Sequence, residues 1–323
     1  MKDIALKPTT LRMARAEARL CVPLEALALV RARTVDKGDV QEAARLAGIM
    51  AVKRTPDLLP HCHPLPILDA DVACTVEAEG LHFEARVRSV AATGVEMEAL
   101  TAAAAAALCA YDMLKPHCSQ EKMRIEGIRL LEKTGGKSQF HERLAQPVSA
   151  AVVVLSDTVA SGKKPDTAGR AVARALDAAG FAPIGYEVLP DEPALLAARL
   201  QAFKGEGIGF VATVGGTGLG PRDRTVEVVR DLLTTEVPGL MEAARSFGQA
   251  RTPFAMLSRG IAGFAGNTLI ATFPGSRRGA EETLAALQPG LIHLLDVFRG
   301  ARHRGGYGQQ DTGVPDDKLR GQA

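Results

Sequence analysis

The chain has 323 residues, 46% of them hydrophobic and 24% charged, which is enough for two domains with cores of their own. Basic and acidic residues are interspersed and leave a formal net charge of only +2, so binding to nucleic acid or to a membrane surface through bulk charge is not expected. Five cysteines without a CxxC pair, and no long apolar segment near Met1, predict a reduced, cytoplasmic protein.

The first half, residues 1–140, predicts an α+β domain. Residues 7–32 are rich in alanine, arginine and leucine and are predicted to be helical or mixed. A helix is predicted from Val40 to about Lys53, with Asp39 as its N-cap and its end set by Pro56.

Alternating apolar residues then predict a β-hairpin, with strands from Ala70 to Glu79 and from Leu81 to Val90. A long alanine-rich segment predicts a helix that ends near Lys115, and a further strand is predicted over 124–131. Together these elements predict an antiparallel sheet with helices in a ferredoxin-like arrangement.

The second half, residues 148–300, predicts an α/β domain with three layers and a mostly parallel sheet. A polar segment, 141–147, is predicted to be the linker, and residues 301–323 are predicted to be a disordered tail. Apolar runs typical of buried parallel strands alternate with helical segments. The predicted strands are 148–155, 182–189, 208–214 and 267–273, and the predicted helices are 167–179, 193–203, 222–234 and 279–298.

A glycine-rich loop follows the strand that ends at Val214. Four glycines lie within six residues, and Pro221 is predicted to open a helix. Uncovered backbone N–H groups beside a helix start favour phosphate binding. Asp191 and Asp223 flank or enter this loop and are suited to hold a metal ion on such phosphates. Composition alone leaves a plain turn equally open.

The first half carries a His61-Cys62-His63 segment between prolines. No other cluster of cysteine and histidine completes a tetrahedral set, so a structural zinc is not predicted. His63 is instead predicted to be a fixed polar group that faces a ligand.

Charged residues mark both ends of the alanine-rich helix. Glu96 and Glu98 at its start suit the helix dipole, and Asp112 and Lys115 near its end share a face, as a surface ion pair would. Between Glu98 and Asp112 the helix advances roughly 21 Å. One active site that uses both ends must therefore combine neighbouring subunits.

Six motifs in the first half resemble the MoaC family, the cyclic pyranopterin monophosphate synthases of molybdenum cofactor biosynthesis. They are Lys37-Gly-Asp-Val40, the segment 47–55, Cys62-His-Pro-Leu65, Thr93-Gly-Val-Glu-Met-Glu-Ala-Leu-Thr101, Tyr111-Asp-Met-Leu-Lys115 and Gly135-Gly-Lys-Ser138.

This resemblance implies that the first half converts a cyclised dihydro-GTP into cyclic pyranopterin monophosphate and pyrophosphate. Asp112 and Lys115 would be the acid/base pair, with a lysine pKa lowered by burial. The family is hexameric with sites between subunits, so a homo-oligomer, hexameric or trimer-based, is expected. The implied substrate-binding residues are His61, Cys62, His63, Glu96, Met97 and Glu98, with Lys37, Lys53 and Lys133 for the triphosphate.

The second half resembles the MoaB/MogA family. The resemblance rests on Ser156-Asp157, Ser161-Gly162, Asp166, the loop from Gly215 to Asp223, Leu257-Ser-Arg-Gly260 and Phe273-Pro-Gly-Ser276. It implies adenylylation of molybdopterin with Mg-ATP, with no tightly bound cofactor and with Asp191 and Asp223 as the catalytic, Mg²⁺-holding carboxylates. A non-catalytic module for binding or assembly is the alternative. The implied ligand-binding residues are Ser161, Asp166, Gly215, Gly216, Thr217, Gly218, Ser258, Pro274, Gly275 and Ser276.

Overall fold

The computed structural model describes residues 1–136, 140 and 143–298. The chain divides into two compact units, Met1–Phe140 and His141–Ala323. The predicted tail and the first two residues of the predicted linker lie outside the described residues.

The first unit is one antiparallel sheet with helices packed on it. Its sheet order is β2-β3-β1-β4, and every neighbouring pair is antiparallel. This confirms the predicted α+β, ferredoxin-like fold. In chain order the elements are β1 (Thr10–Cys21), α1 (Leu24–Ala32), α2 (Val40–Leu58), β2 (Ile67–Val76), β3 (Gly80–Ala91), α3 (Glu96–Leu114) and β4 (Arg124–Thr134), with a short 3-10 turn at Gln120–Lys122 before β4.

Alanines bring α3 close to the sheet. Ala14, Ala16 and Ala18 of β1 lie with buried alanines of α3, among them Ala103 and Ala106, in one core. Among the described helices, α3 is the one long and apolar enough to cross a membrane by length and composition. Half of that stretch is buried in this unit, as expected of a core helix.

The segment 7–32, predicted to be helical or mixed, contains both a strand and a helix. Its first part, Thr10–Cys21, is a strand, because its small apolar residues alternate with polar ones and it pairs with β3 and β4 on its two sides. One prediction in this unit is wrong. Helix α2 continues past Pro56 to Leu58, since a proline in the last turn removes only one helical hydrogen bond. Asp39 is confirmed as the N-cap, because it accepts hydrogen bonds from the N–H groups of Gln41 and Glu42.

The second unit is a three-layer α/β domain, as predicted. Its sheet order is β6-β5-β7-β10-β9-β8, with β6, β5, β7 and β10 parallel and β9 antiparallel. Buried side chains of α5, α8 and α9 cover one face, and those of α6 and α7 cover the other. The elements are β5 (Val148–Leu155), α4 (Asp157–Ala160), α5 (Ala168–Ala178), β6 (Phe181–Leu189), α6 (Pro193–Glu206), β7 (Phe210–Val214), α7 (Thr225–Leu232), β8 (Thr235–Glu236), α8 (Pro238–Gln249), β9 (Ala262–Ala265), β10 (Thr268–Phe273) and α9 (Arg277–Phe298).

The helix after the glycine loop begins at Thr225, not at Pro221 as predicted. Residues 221–224 precede it as part of the loop, which moves Asp223 out of the helix. The predicted elements also omitted α4, α8, β8 and β9. Three of these are short, with four residues or fewer. The carboxyl ends of the four parallel strands lie at one edge of the sheet, which is where α/β domains bind their ligands.

Candidate active sites

A cluster of one carboxylate and two lysines lies at the C-terminal end of α3. Lys37 Nζ donates to Asp112 Oδ2 at 2.7 Å and to the Asp112 carbonyl at 2.8 Å. Lys115 Nζ lies 2.7 Å from the other carboxylate oxygen, Oδ1. These contacts lower the pKa of Asp112 to about 2, with the hydrogen bond from Lys115 as the largest cause and that from Lys37 next.

The expected lowering of the lysine pKa is not found in the single chain. Asp112 raises the pKa of Lys115 through their hydrogen bond, and both side chains are about half exposed, at 45% and 56%. Water therefore reaches this end of α3, and the lowering of the Lys115 pKa by burial is outweighed by the contact with Asp112. In one copy of the chain, the Lys115 amine is therefore protonated at neutral pH.

A second cluster lies at the other end of α3. Lys133 Nζ is 3.2 Å from Glu96 Oε1, while Glu98 is only 3% exposed. Burial raises the pKa of Glu98, and the nearby charge of Glu96 adds to this effect. Cys62 is close enough that its thiol pKa is raised by burial first and by Glu98 second. The structure thus brings Cys62, Glu96, Glu98 and Lys133 together.

Arg12 also belongs to this cluster, and the sequence analysis missed it. Its Nε donates to the Ala91 carbonyl at 3.1 Å. Burial lowers the pKa of the Arg12 guanidinium, and the nearby charge of Glu96 acts in the opposite direction. A side chain at Gly136 would place Cβ 1.5 Å from the Arg12 guanidinium. The paired glycines at 135 and 136, both with positive φ, were the only sequence signal of this close approach.

The two clusters do not meet within one chain. They lie at opposite ends of α3, whose length between Glu98 and Asp112 is roughly 21 Å. Four other predicted residues form none of the contacts described above. His61 and Lys53 are exposed, and Met97 is 41% exposed beside Glu96. His63 is half-buried next to Cys62.

Replacing Glu98 with glutamine is expected to stabilise the protein at about pH 8 and not at about pH 4. The folded-state pKa of Glu98 lies above its ordinary value of 4.5. Folding therefore favours the protonated carboxyl group of Glu98. The stability that this group allows is complete below its unfolded pKa and is lost as the pH rises through its folded pKa, where a buried charge forms. Glutamine cannot ionise, so E98Q avoids that loss. Thermal melting of E98Q and wild type at about pH 4 and about pH 8 checks this, with the exposed Glu79→Gln as control. A lower melting temperature for E98Q at both pH values would mean that a paired, ionised carboxylate had been removed.

In the second unit, Asp157 and Asp191 join two loops at the edge of the sheet through reciprocal hydrogen bonds between side chain and backbone. Asp157 N–H donates to Asp191 Oδ2 at 3.3 Å, and Asp191 N–H donates to Asp157 Oδ1 at 3.0 Å. Arg222 forms an ion pair with the remaining oxygen of Asp157. The sequence motifs included Asp157 but gave it no role, because reciprocal bonds between side chain and backbone leave no sequence pattern.

The glycine loop wraps around the carboxylate of Asp223. Gly220 N–H donates to Asp223 Oδ2 at 2.8 Å, and a Cβ on Gly218 or Gly220 would lie 2.8 or 2.7 Å from that oxygen. Gly275 packs against the Cα of Gly215, which brings the Pro274–Ser276 segment to the same place. Thr217 is buried in the loop.

The predicted serines and Asp166 serve the local fold. Asp166 accepts hydrogen bonds from Gly169 N–H, Arg170 N–H and Tyr186 Oη at 3.1, 2.7 and 2.6 Å. Burial, and next this bond to Asp166, raises the pKa of Tyr186 to about 12. Ser161 donates to the Asp157 carbonyl, Ser276 accepts from Gly279 N–H at the start of α9, and Ser258 accepts from Gly260 N–H.

The carboxylates of Asp191 and Asp223 each keep one oxygen that a Mg²⁺ ion shared with phosphates would need. Each uses Oδ2 to accept a backbone hydrogen bond, and in the described part of the chain the other oxygen accepts none. No group of three or more His, Cys, Asp or Glu residues is arranged to hold a metal among the described residues. An ion here would thus take its other ligands from phosphate oxygens and water, as Mg²⁺ does in nucleotide sites. Asp191 also lines a small cleft with Arg222 and Thr225.

Replacing Gly216 with alanine is expected to weaken Mg-ATP binding by about tenfold. Gly216 has φ of 62°, and an added Cβ would lie 2.1 Å from Thr225 Oγ1, so the loop must move. Titration calorimetry checks this, with Gly205→Ala as control because a Cβ at Gly205 meets nothing within 4 Å. Equal affinities for G216A and wild type would place the nucleotide elsewhere.

Comparisons with known proteins agree with both halves. Residues 1–136 match the MoaC family, and residues 151–293 match the family described as "Probable molybdopterin binding domain". The molybdenum cofactor biosynthesis bifunctional protein of Chlorobaculum tepidum is 40% identical over 306 residues, which cover 94% of this chain and 96% of that protein. The cyclic pyranopterin monophosphate synthase of Deinococcus radiodurans is 48% identical over 150 residues, 46% of this chain and 88% of its own.

A crystal structure of the molybdopterin biosynthesis enzyme MoaB from Thermus thermophilus has 43% sequence identity and covers 47% of this chain and 97% of its own, with a TM-score of 0.45. The two family matches follow each other in the predicted order. Because its relative from Chlorobaculum tepidum aligns along almost the whole length of both proteins, the chain belongs to the bifunctional proteins of molybdenum cofactor biosynthesis.

Proposed function

We propose that the first unit is a cyclic pyranopterin monophosphate synthase that acts on the cyclised dihydro-GTP and releases pyrophosphate. The contact of Asp112 with both Lys37 and Lys115 carries this proposal. Ring opening and phosphate closure both need proton transfer at defined atoms. Lys115 carries the proton, and Asp112 keeps its amine in place.

The site is completed by a second copy of the chain. Asp112 and Lys115 are too exposed in one copy to exclude water from a reacting phosphate. The cluster of Glu96, Glu98 and Cys62 is too far along α3 to reach them. When the second cluster of a neighbouring copy covers the first, substrate can contact both, and burial can then lower the lysine pKa. A hexameric or trimer-based assembly would supply such pairs.

Incubating the purified chain with the cyclised dihydro-GTP tests this function directly. The expected products are cyclic pyranopterin monophosphate and one equivalent of pyrophosphate, identified by mass spectrometry and a phosphate assay. Sedimentation at assay concentration is measured on the same sample. A fully active monomer would contradict the shared site, and no conversion by the oligomer would contradict the activity itself.

We propose that the second unit transfers AMP from ATP to molybdopterin. The convergence of Asp191, the glycine loop and the Pro274–Ser276 segment at the carboxyl ends of parallel strands supports this. The molybdopterin phosphate oxygen would attack the α-phosphorus of ATP, and the bond to the pyrophosphate leaving group would break. A Mg²⁺ ion held by Asp191 and Asp223 would neutralise phosphate charge during this transfer.

The residues of the loop would orient the phosphates before the transfer. The loop already has a fixed shape, since Gly215 N–H bonds the Phe273 carbonyl and so ties the loop to the end of β10. Formation of adenylylated molybdopterin from molybdopterin, ATP and Mg²⁺ is the test. Binding of both ligands without product would instead favour the non-catalytic binding module.

We place both activities in the cytoplasm. All five cysteines are free thiols in the structure, which suits a reducing compartment. The proposed substrates, the cyclised dihydro-GTP and ATP, are both nucleotides, which suits the same compartment.

A further inference from the structure

We propose that Arg259 is a positioning residue for Asp223, because it ties the carbonyl groups of Gly218 and Asp223 in the glycine loop to α7. This inference rests on the proposed nucleotide chemistry of the second unit. Arg259 follows a 3-10 turn, Ala255–Leu257, and precedes β9. The sequence analysis assigned it no role.

The guanidinium of Arg259 contacts three acceptors on two elements. Nε donates to the Gly218 carbonyl at 2.7 Å, and Nη2 donates to the Asp223 carbonyl. Nη1 forms an ion pair with Glu227 in the first turn of α7. The Arg259 backbone N–H also donates to the Thr217 carbonyl at 3.2 Å, so the whole residue lies along the loop.

These contacts fix the loop that surrounds the Asp223 carboxylate. Gly218 and Asp223 begin and end a six-residue turn, and one planar group holds both carbonyls. Inside the turn, Gly220 N–H binds the Asp223 carboxylate. If the turn opens, that hydrogen bond and the direction of the carboxylate change together. A shift of about 1 Å in such a group is enough to lower a rate about 10²-fold.

Glu227 keeps Arg259 in place. Burial would raise the pKa of Glu227, but hydrogen bonds from its own backbone and from Arg259 outweigh this and lower it. Glu227 is therefore an ionised partner at neutral pH. Lysine cannot replace arginine here, because a single ammonium lacks the planar fork that reaches three acceptors at once.

The experiment compares Arg259→Lys, Glu227→Gln and the double variant with wild type in the full chain. For Arg259→Lys we expect kcat for adenylylation to fall about 10²-fold and the KM for Mg-ATP to rise, because the loop and Asp223 that shift are the proposed contacts of the phosphates and of Mg²⁺. The double variant should lose no more activity than Arg259→Lys, because both residues act through one contact. The exposed Arg230→Lys on α7 is the matched control.

Hydrogen exchange of the peptide covering Gly215–Asp223 gives a readout that does not need turnover. Exchange should be faster in Arg259→Lys and unchanged in Arg230→Lys, with equal melting temperatures. Unchanged exchange in Arg259→Lys, or independent losses in the double variant, would overturn the proposal. If wild type forms no adenylylated product, the proposed function fails, and loop exchange alone then decides the role of Arg259.

Discussion

Replacing Asp112 with asparagine is expected to lower kcat for cyclic pyranopterin monophosphate formation by about 10³-fold. The carboxylate bridges the amines of Lys37 and Lys115 through separate oxygens, each contact being 2.7 Å long. Asparagine offers one oxygen and places an NH₂ group against the other lysine, which then loses its partner. Product formation in the cyclised dihydro-GTP assay measures the loss.

The pH dependence separates Asp112 from the other ionisable groups. With its pKa lowered to about 2, Asp112 is ionised throughout the range in which the enzyme is assayed. Its contribution to folding stability is present above its unfolded pKa and is lost only as the pH falls through about 2. An acidic limb of kcat/KM near neutral pH therefore belongs to another group.

Asp57→Asn is the matched control, since Asp57 is an exposed aspartate on α2 of the same unit. It should leave activity, oligomeric state and melting temperature unchanged. Near-normal turnover of D112N in an intact oligomer would contradict a role for Asp112. It would mean that the contacts of Asp112 with Lys37 and Lys115 are not needed for the reaction.

The sequence predicted the β2–β3 hairpin from alternating apolar residues. It predicted the parallel strands of the second unit from continuous apolar runs, which are buried on both faces in the structure. Residues 7–32, which contain β1, are predicted from sequence to be helical or mixed, since alanine and arginine favour helices. The pairing of β1 with two strands, which places Arg15 between Glu84 and Glu132, overrides that preference and is not visible locally.

The candidate sites were only partly predictable from sequence for a similar reason. Motifs identified Asp112, Lys115 and the glycine loop one by one. The contact between Lys37 and Asp112 joins residues 75 positions apart and depends on how α2 and α3 pack. Arg12 and Arg259 donate hydrogen bonds to backbone carbonyl groups. Every residue has such a carbonyl, so the residue that accepts the bond cannot be recognised by its type in the sequence.

Replacing Asp223 with asparagine is expected to lower the rate of molybdopterin adenylylation by about 10³-fold, because a Mg²⁺ ion on the phosphates contributes several kcal/mol to such a transfer. The asparagine oxygen can still accept the hydrogen bond from Gly220 N–H, so the loop keeps its shape. The amide nitrogen at the other position cannot bind a metal. The change therefore removes the proposed metal ligand and keeps the hydrogen bond that shapes the glycine loop.

Two measurements on D223N distinguish lost chemistry from lost binding. Calorimetry should show that ATP without Mg²⁺ binds as it does to wild type, while the gain in affinity from Mg²⁺ is lost. Asp231→Asn, an exposed change on α7, should behave as wild type in both assays. If D223N forms adenylylated molybdopterin at the wild-type rate, Asp223 holds no catalytic metal. Its carboxylate would then serve only to close the glycine loop through Gly220.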